Sequence, residues 1–330
     1  MTSTLKAYAL RLFPQVAALA VILLMVSIAF PGFFRLEMQN GRLYGSLIDI
    51  LNRGAPVALL AIGMTVVIAT KGIDLSVGAV MAICGAVAAA CITSGYGLVA
   101  TLLVTLGTGI LCGLWNGILV AVLDIQPIIA TLVLMVAGRG IAQLITEGAI
   151  LTFNDPGLIF IGGGSFLGLP MPVVIWIAFG IIVALLVRRT ALGMLIEALG
   201  VNRRASMLSG VSTGVLLIAA YVLSGLCAAI AGIIAAADIR GADANNAGLW
   251  LELDAILAVV VGGTSLLGAL IIQSINTGIL LSGFPPEFNL IIKAAIIVLI
   301  LVIQSPRAQT AFAFLSRPRA GEKTAEQEAK

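Results

Sequence analysis

Few side chains in this sequence could take part in catalysis. The sequence lacks the residues that the common kinds of catalytic site require. The chain contains no histidine, which excludes a Ser/His/Asp triad, a Cys/His dyad and a histidine-ligated zinc or haem site. It has no GxxxxGK(S/T) motif, so it lacks a P-loop that binds and hydrolyses ATP. Its cysteines stand in apolar stretches without a CxxC pair, and we interpret them as reduced core residues. These are Cys84, Cys91, Cys112 and Cys227. We therefore expect no catalytic residue, no cofactor and no metal site.

The first polar feature is an aspartate between two long apolar runs. Asp74 lies in the sequence GIDLSVG, where Gly72 and Gly78 permit a break or close packing and Ser76 can cap the following helix. An aspartate between membrane-spanning helices is costly unless it is paired or solvated. The motif indicates either a broken helix beside a transport path or a capping turn at the membrane edge.

The second feature is the mixed polar and apolar loop 188–211. A 3-4 spacing places Leu192, Leu195, Ile196 and Leu199 on one face of a short helix. Such a helix can dock in a groove of a soluble partner, or it can lie on lipid headgroups. Glu197 and the small residues after it favour partner docking.

The third feature is the polar stretch 238–254, which includes Asn245, Asn246 and the flat apolar face of Trp250. Its donors and acceptors suit a polyhydroxylated ligand or a polar protein surface, and an ordinary solvated loop is the alternative. Asn116 and Asn276 lie within apolar segments. Polar groups in such positions either hold helices together or line a path.

The elements that must position these residues are predicted from hydropathy. Apolar residues make up 61% of the 330 residues and charged residues only 10%, against about 25% in soluble domains. Such a chain needs the lipid bilayer as its solvent, which excludes a soluble enzyme, a disordered chain and a nucleic-acid binder. Spanning helices need about 20 apolar residues. We predict an all-α, polytopic bundle of about ten transmembrane segments: 15–34, 54–70, 75–94, 97–123, 127–146, 171–187, 212–237, 251–262, 265–283 and 288–305.

The distribution of positive charge predicts the orientation of the bundle. Most of the 18 lysines and arginines fall on the side of the termini and of loop 188–211, and cytoplasmic loops carry such an excess. Both termini are therefore predicted to be cytoplasmic. The first segment is interpreted as a spanning helix rather than a signal peptide. Residues 1–320 form one transmembrane domain in this prediction, and 321–330 form a charged, disordered tail.

An internal repeat divides the chain into two halves. Asn116-Gly117-Ile118-Leu119 resembles Asn276-Thr277-Gly278-Ile279-Leu280, and each half has an earlier acidic residue, Asp74 or Asp254. Such duplication is common in transporters, although chance similarity between glycine-rich helices is the alternative. The second half is shorter by 19 residues, because Asp254 and Gly278 are 24 positions apart whereas Asp74 and Gly117 are 43 positions apart. If 251–283 formed one fused helix, the chain would cross the membrane nine times. The arginines near the C-terminus would then face outward, against the usual excess of positive charge on the cytoplasmic side. We therefore predict two short segments that can be re-entrant.

Several long stretches resemble the sugar-type permease family of bacterial ABC importers, the ribose/xylose/arabinose/galactose permeases. They are 52–70, 72–78, 113–123, 126–146, 191–206, 239–263 and 276–287, and the similarity extends from about Ile48 to Ser305. Family members usually carry a longer glycine-rich stretch where this chain has 262–268. Within the family, the galactofuranose permeases are the most similar, which implies galactofuranose as the sugar.

The resemblance implies a multi-pass subunit of the bacterial inner membrane that does no chemistry itself. Its implied partners are a second permease subunit, identical or related, a cytoplasmic ABC ATPase and a periplasmic sugar-binding protein. The ATPase would dock on a coupling helix at about Leu192–Ser209. The candidate coupling residues are Leu192, Leu195, Glu197, Ala198, Gly200, Asn202, Arg203 and Ser209. The candidate residues of the path or its gate are Asp74, Ser76, Asn116, Asn245, Asn246 and Asn276.

Two other functions remain open at this point. An ion-coupled secondary sugar transporter would need no ATPase, and its uptake would collapse with an uncoupler but survive vanadate. A membrane scaffold without transport activity would show no ligand-dependent change in ATPase activity when reconstituted with partners.

Overall fold

The computed structural model describes residues 2–39, 41–262 and 265–283, with the isolated positions 285, 288, 290–292, 294 and 295. Its helices are α1 (Thr2–Ala29), α2 (Ser46–Ala69), α3 (Val77–Thr93), α4 (Leu98–Ala121), α5 (Pro127–Ile145), α6 (Pro156–Gly163), α7 (Met171–Arg189), α8 (Ala191–Val201), α9 (Arg203–Leu208), α10 (Thr213–Ile239), α11 (Leu251–Gly262) and α12 (Ser265–Leu281). Its strands are β1 (Glu37–Gln39), β2 (Arg42–Tyr44), β3 (Leu151–Thr152), β4 (Ser165–Phe166), β5 (Leu169–Pro170) and β6 (Gly241–Ala242).

The described helices agree with most of the predicted segments. Nine of the ten coincide with a helix, while most of 288–305 and all of the tail 321–330 lie outside the described residues. Among the described residues, five helices are long and apolar enough to cross a membrane: α2, α4, α5, α7 and α10. Sequence reasoning missed the short α6 and the antiparallel pairs β1–β2, β3–β6 and β4–β5. Residues Met1–Gly278 form one compact unit and Ile279–Lys330 a second, and the features below lie in the first.

Prolines and polar caps set where several helices begin. Pro127, Pro156 and Pro172 occupy the first or second position of α5, α6 and α7. A proline is tolerated there because its missing N–H would have no partner within the helix anyway. Asp155 caps α6, since its carboxylate accepts a hydrogen bond from the backbone N–H of Leu158 at 2.9 Å.

The interhelical loops meet in two groups, one at each end of the bundle. At one end, loops 70–76, 122–126 and 190–212 are in contact. Lys71 donates a hydrogen bond to the Val201 carbonyl at 3.1 Å, and Arg203 pairs with Asp124 at 2.8 Å. We call this the basic end. At the opposite end, β3 pairs with β6, and Leu43 donates its N–H to the Gly168 carbonyl.

The α4–α10 contact depends on glycines that bring the two helices together. A methyl group added at Gly109, Gly113 or Gly117 would collide with α10, at Gly225, Tyr221 and Ile218 respectively. Close approach of small residues is the usual way in which helices associate in lipid. Close packing matters here because apolar side chains are about as stable against lipid as against protein, so their burial does little to hold two helices together.

A pair of alanine substitutions tests this packing. We expect Gly113→Ala to lower the free energy of unfolding by about 1–3 kcal/mol relative to Gly107→Ala. Both changes gain the same helix propensity, about 1 kcal/mol, but a methyl group at Gly107 meets no atom within 4 Å. Thermal unfolding in detergent measures the difference. Equal melting temperatures would show that α10 moves aside at no cost.

The segment after α10 forms two helices that fold back on each other. A methyl group at Gly268 of α12 would collide with the backbone of Ala258 in α11. Ten residues of a continuous helix extend about 15 Å, so this contact requires the chain to turn back. The structure thus has two separate helices here rather than one fused helix, and the count of ten spans stays a prediction. With 12 residues, α11 is about 18 Å long, shorter than a bilayer core of about 30 Å.

Candidate functional site

A buried hydrogen-bond network surrounds Asp74, in the loop between α2 and α3. The Asp74 Oδ1 atom accepts hydrogen bonds from the Ser76 hydroxyl at 2.6 Å and from the Ser76 backbone N–H at 3.0 Å. Its Oδ2 atom accepts one from the Ser224 hydroxyl of α10 at 2.8 Å. The Asn116 amide of α4 donates to the Ser76 hydroxyl at 2.8 Å. Both carboxylate oxygens are thus satisfied, as burial of an acid requires.

The same loop is tied to α5 by a threonine. The Leu75 N–H donates to the Thr131 hydroxyl oxygen at 3.1 Å. Asp74, Ser76, Asn116 and Thr131 are all at most 2% exposed. Loop 70–76 is therefore a junction at which α4, α5 and α10 are held by polar groups inside an apolar bundle.

A second polar loop, 240–250, is organised by Asp243. Its carboxylate accepts hydrogen bonds from the Asn246 side chain at 2.7 Å and from the backbone N–H groups of Asn245 and Asn246. The Asn246 side chain is the main reason that the pKa of Asp243 lies below its usual value, with smaller contributions from those N–H groups and from Arg139. Asp243 is therefore a charged residue that shapes this turn.

Loop 240–250 reaches from the opposite end into the bundle. Arg139, twelve residues after the start of α5, donates to the carbonyls of Ala244 at 3.1 Å and Ala247 at 2.6 Å. Gln143 donates to the Asn245 side chain at 2.7 Å. The arginine thus satisfies backbone carbonyls that an irregular segment at this depth would otherwise leave unpaired.

Loop 240–250 meets the beginning of α3 inside the bundle. Gly78, in the first turn of α3, lies against Gly248, just before α11, and a methyl group on either glycine would collide with the other's backbone. Glu252, in the first turn of α11, also lies beside Gly78 and is buried. Both halves of the chain therefore contain a short helix preceded by a polar loop, the form that substrate sites take in many transporters.

Comparison with known proteins identifies the family of this bundle. The family model described as "Branched-chain amino acid transport system / permease component" matches residues 46–301. The chain belongs to this permease family. It is a multi-pass protein of the inner membrane, and its relatives are transport subunits rather than enzymes.

Three relatives of this permease carry the names of sugar transporters. It is 63% identical to the galactofuranose transporter permease protein YtfT of Escherichia coli (strain K12). The match extends over 305 residues and covers 89% of each chain. It is 41% identical to the fructose import permease protein FruF of Bifidobacterium longum (strain NCC 2705), over 86% of this chain and 83% of the relative. It is 37% identical to the ribose import permease protein RbsC of Escherichia coli (strain K12), over 88% and 92%. The resemblance to sugar permeases is confirmed.

The predicted path residues of this permease fall in three places. Asp74, Ser76 and Asn116 belong to the buried network, Asn245 and Asn246 to loop 240–250, and Asn276 to α12. Sequence reasoning missed Ser224, which closes the network from 150 positions away. Ser224 lies within an apolar helix, and no local motif sets it apart.

The predicted coupling loop of this permease consists of two helices, α8 and α9, joined at Asn202. The Asn202 side chain caps α9 by accepting a hydrogen bond from the Ala205 N–H at 3.0 Å, and Ser209 donates to the Ala205 carbonyl. Gly200 is buried against the backbone of Ala69. The loop is thus fixed to the end of α2 as well as to α10.

The structure corrects which face of α8 is free. The sequence predicted that the apolar face with Leu192, Leu195, Ile196 and Leu199 would dock on a partner. That face instead packs on this chain's own residues, including Leu216 and Leu217 of α10. The loop lies beside the bundle, so its apolar face is used to attach it there. The exposed face carries Met194, Glu197, Ala198 and Val201.

The described part of the chain offers no metal site. No group of three or more His, Cys, Asp or Glu side chains in residues 2–39, 41–262 and 265–283 is arranged to hold a metal ion. The polar groups that the structure brings together are hydroxyls, amides and single carboxylates, which bind by hydrogen bonds.

Proposed function

We propose that this chain is the transmembrane subunit of an ABC importer that moves a sugar across the inner membrane, with galactofuranose as the first candidate. The 63% identity to a galactofuranose transporter permease over 89% of both chains carries this proposal. The chain performs no chemistry in this function. A partner ATPase hydrolyses ATP, and the permease converts the resulting motion into a change in access to the sugar path.

The proposed topology has ten spans with both termini in the cytoplasm. Its support is the charge at the basic end, where Lys71, Arg188, Arg189, Arg203 and Arg204 lie in or next to the loops. Positive charge of this kind is retained on the cytoplasmic side. In this orientation, loop 240–250 enters the bundle from the periplasmic side.

The coupling role of loop 188–211 is supported by its exposed face. Met194 is 68% exposed, Val201 77% and Leu208 80%. Apolar side chains this exposed next to Glu197 and Arg204 suit a groove in a protein better than water. We infer that the ATPase contacts this face, while Leu192, Leu195 and Gly200 hold the loop to the bundle.

A charge reversal on the exposed face tests the coupling role. We expect Glu197→Arg to reduce the amount of ATPase recovered with the tagged permease at least tenfold. The ATPase surface that faces Glu197 has to be complementary to a negative charge, so it would repel the arginine. Co-purification from membranes measures this. The matched control is Glu147→Arg, an exposed carboxylate at the opposite end, and it should leave ATPase recovery unchanged. Normal recovery with Glu197→Arg would contradict the assignment.

The path is proposed to run beside loops 70–76 and 240–250, with Asp74, Ser76, Asn116, Asn245, Asn246 and Asn276 near it or its gate. The meeting of two short helices at Gly78 and Gly248 supports this placement. A periplasmic sugar-binding protein would deliver the ligand to this side, and a second permease subunit would complete the passage.

Reconstitution of the permease with a candidate ATPase and sugar-binding protein tests the whole proposal. We expect ATP-dependent uptake of labelled galactofuranose that vanadate blocks and an uncoupler does not. Uptake with the opposite sensitivities would indicate an ion-coupled transporter. If the sugar changes neither uptake nor ATPase activity, the chain acts as a scaffold.

A further inference from the structure

A small cavity lies between α2, α10 and α12 in the first compact unit. Its volume is about 240 Å³. Its polar lining consists of Asn52, Arg53, Asp238, Gln273 and Asn276, and we call it the α2–α12 pocket. The remaining lining is mostly apolar, including the side chains of Val57 and Ile234.

Two amide oxygens of the α2–α12 pocket are buried without a hydrogen-bond partner in the described part of the chain. They are Oδ1 of Asn52 and Oδ1 of Asn276. The Asn276 amide donates only a long hydrogen bond, 3.4 Å, to Gln273. A buried acceptor without a partner costs about 1–3 kcal/mol. A ligand hydroxyl that donated to either oxygen would remove that cost.

The charges of the pocket favour a neutral ligand. Arg53 and Asp238 carry opposite charges, and both residues are exposed. Together they add no net charge, so they attract neither anions nor cations strongly, but they offer donors and acceptors to hydroxyl groups. Sites for drug-sized ligands occupy about 300–1,000 Å³, so a cavity of about 240 Å³ suits a single sugar ring rather than an oligosaccharide.

We propose that the α2–α12 pocket is a subsite for a neutral monosaccharide, in which Asn52 and Asn276 accept hydrogen bonds from its hydroxyls. The inference rests on the proposed function and adds to it the place within one subunit where the sugar is held. Asn276 was predicted to lie near the path, whereas Asn52 carried no sequence signal.

Apolar substitutions separate a ligand-binding role from a structural one. Asn52→Leu and Asn276→Leu keep similar volumes but remove a buried acceptor without a partner. We therefore expect their melting temperatures to equal or exceed that of the wild type. With ATPase and binding protein present, we expect uptake of labelled galactofuranose to fall at least tenfold. Asn276→Asp keeps an acceptor oxygen and should retain more uptake than Asn276→Leu.

The control is Asn154→Leu, which alters an exposed asparagine away from this pocket and should leave uptake unchanged. A lower melting temperature together with lower uptake in both leucine variants would assign a structural role and overturn the proposal. Wild-type uptake in both variants would overturn it as well.

A labelling experiment tests the subsite even if transport fails. In the purified permease in nanodiscs, with Cys91 and Cys112 replaced by alanine, Asn276→Cys should react with a small thiol reagent, and galactofuranose should slow that reaction at least threefold. Protection in a permease that shows no uptake would contradict the proposed transport function and support the subsite. Uptake by the wild type without protection of the introduced cysteine would overturn the subsite alone.

Discussion

Asp74→Leu is expected to remove most of the stability of the bundle. The change leaves three donors without their acceptor: the Ser76 N–H, the Ser76 hydroxyl and the Ser224 hydroxyl. Each buried group that loses its partner costs about 1–3 kcal/mol, so we expect a loss of about 3 kcal/mol or more. Thermal unfolding in detergent and the yield of monodisperse protein after extraction measure this effect.

Asp74→Asn is the matched control for that substitution. Its amide oxygen can still accept a hydrogen bond from Ser76, and the Ser224 hydroxyl can rotate to accept one from the new NH₂ group. We expect the asparagine variant to keep most of the wild-type stability. If Asp74→Leu unfolded at the wild-type temperature, the network would not hold the helices together. A stable Asp74→Asn variant that failed to transport would support the predicted role at the path or gate.

Gly248→Ala is expected to separate the two short helices where they meet. Gly248 has a φ of +72°, and its added methyl group would collide with the Gly78 backbone. The positive φ costs an alanine about 1–2 kcal/mol, and the collision adds about 1–3 kcal/mol because backbone rather than a side chain has to move. We expect a clearly lower melting temperature and, in the reconstituted importer, a loss of uptake of tenfold or more.

Gly95→Ala isolates the effect of the collision. Gly95 also has a positive φ, +84°, but a methyl group there meets no atom within 4 Å. It should therefore show the backbone cost alone, with normal uptake. Equal losses of stability in the two variants would mean that the α3–α11 contact yields easily and does not constrain the bundle.

The sequence predicted the helical segments because the signal for them is local. A run of apolar residues such as 97–123 indicates a spanning helix wherever it occurs, and α4 forms within that run. Gly72 and Gly78 likewise indicated a break, and α3 begins at Val77. The division of 251–283 into two segments followed from length and charge, and the structure has two separate helices there, with Gly268 against Ala258.

The partners of the polar residues were not predictable in the same way. Asp74 and Ser76 were singled out, but Ser224, which shares the carboxylate, lies in α10 among small apolar residues. In α3, most residues are buried, so no amphipathic stripe tells which side faces which neighbour. On α8 a stripe was visible, yet the sequence could not show that this chain's own α10 covers it.

The sequence by itself thus determined that the chain lies in lipid, which stretches contain its long apolar helices, and which permease family it resembles. Only the tertiary structure decided which polar groups meet, which face of α8 remains free, and that Asn52 and Asn276 line one cavity. The physical reason is the range of the interactions. Hydropathy and capping act within a few residues, whereas these contacts join positions tens to hundreds of residues apart whose apolar surroundings all look alike.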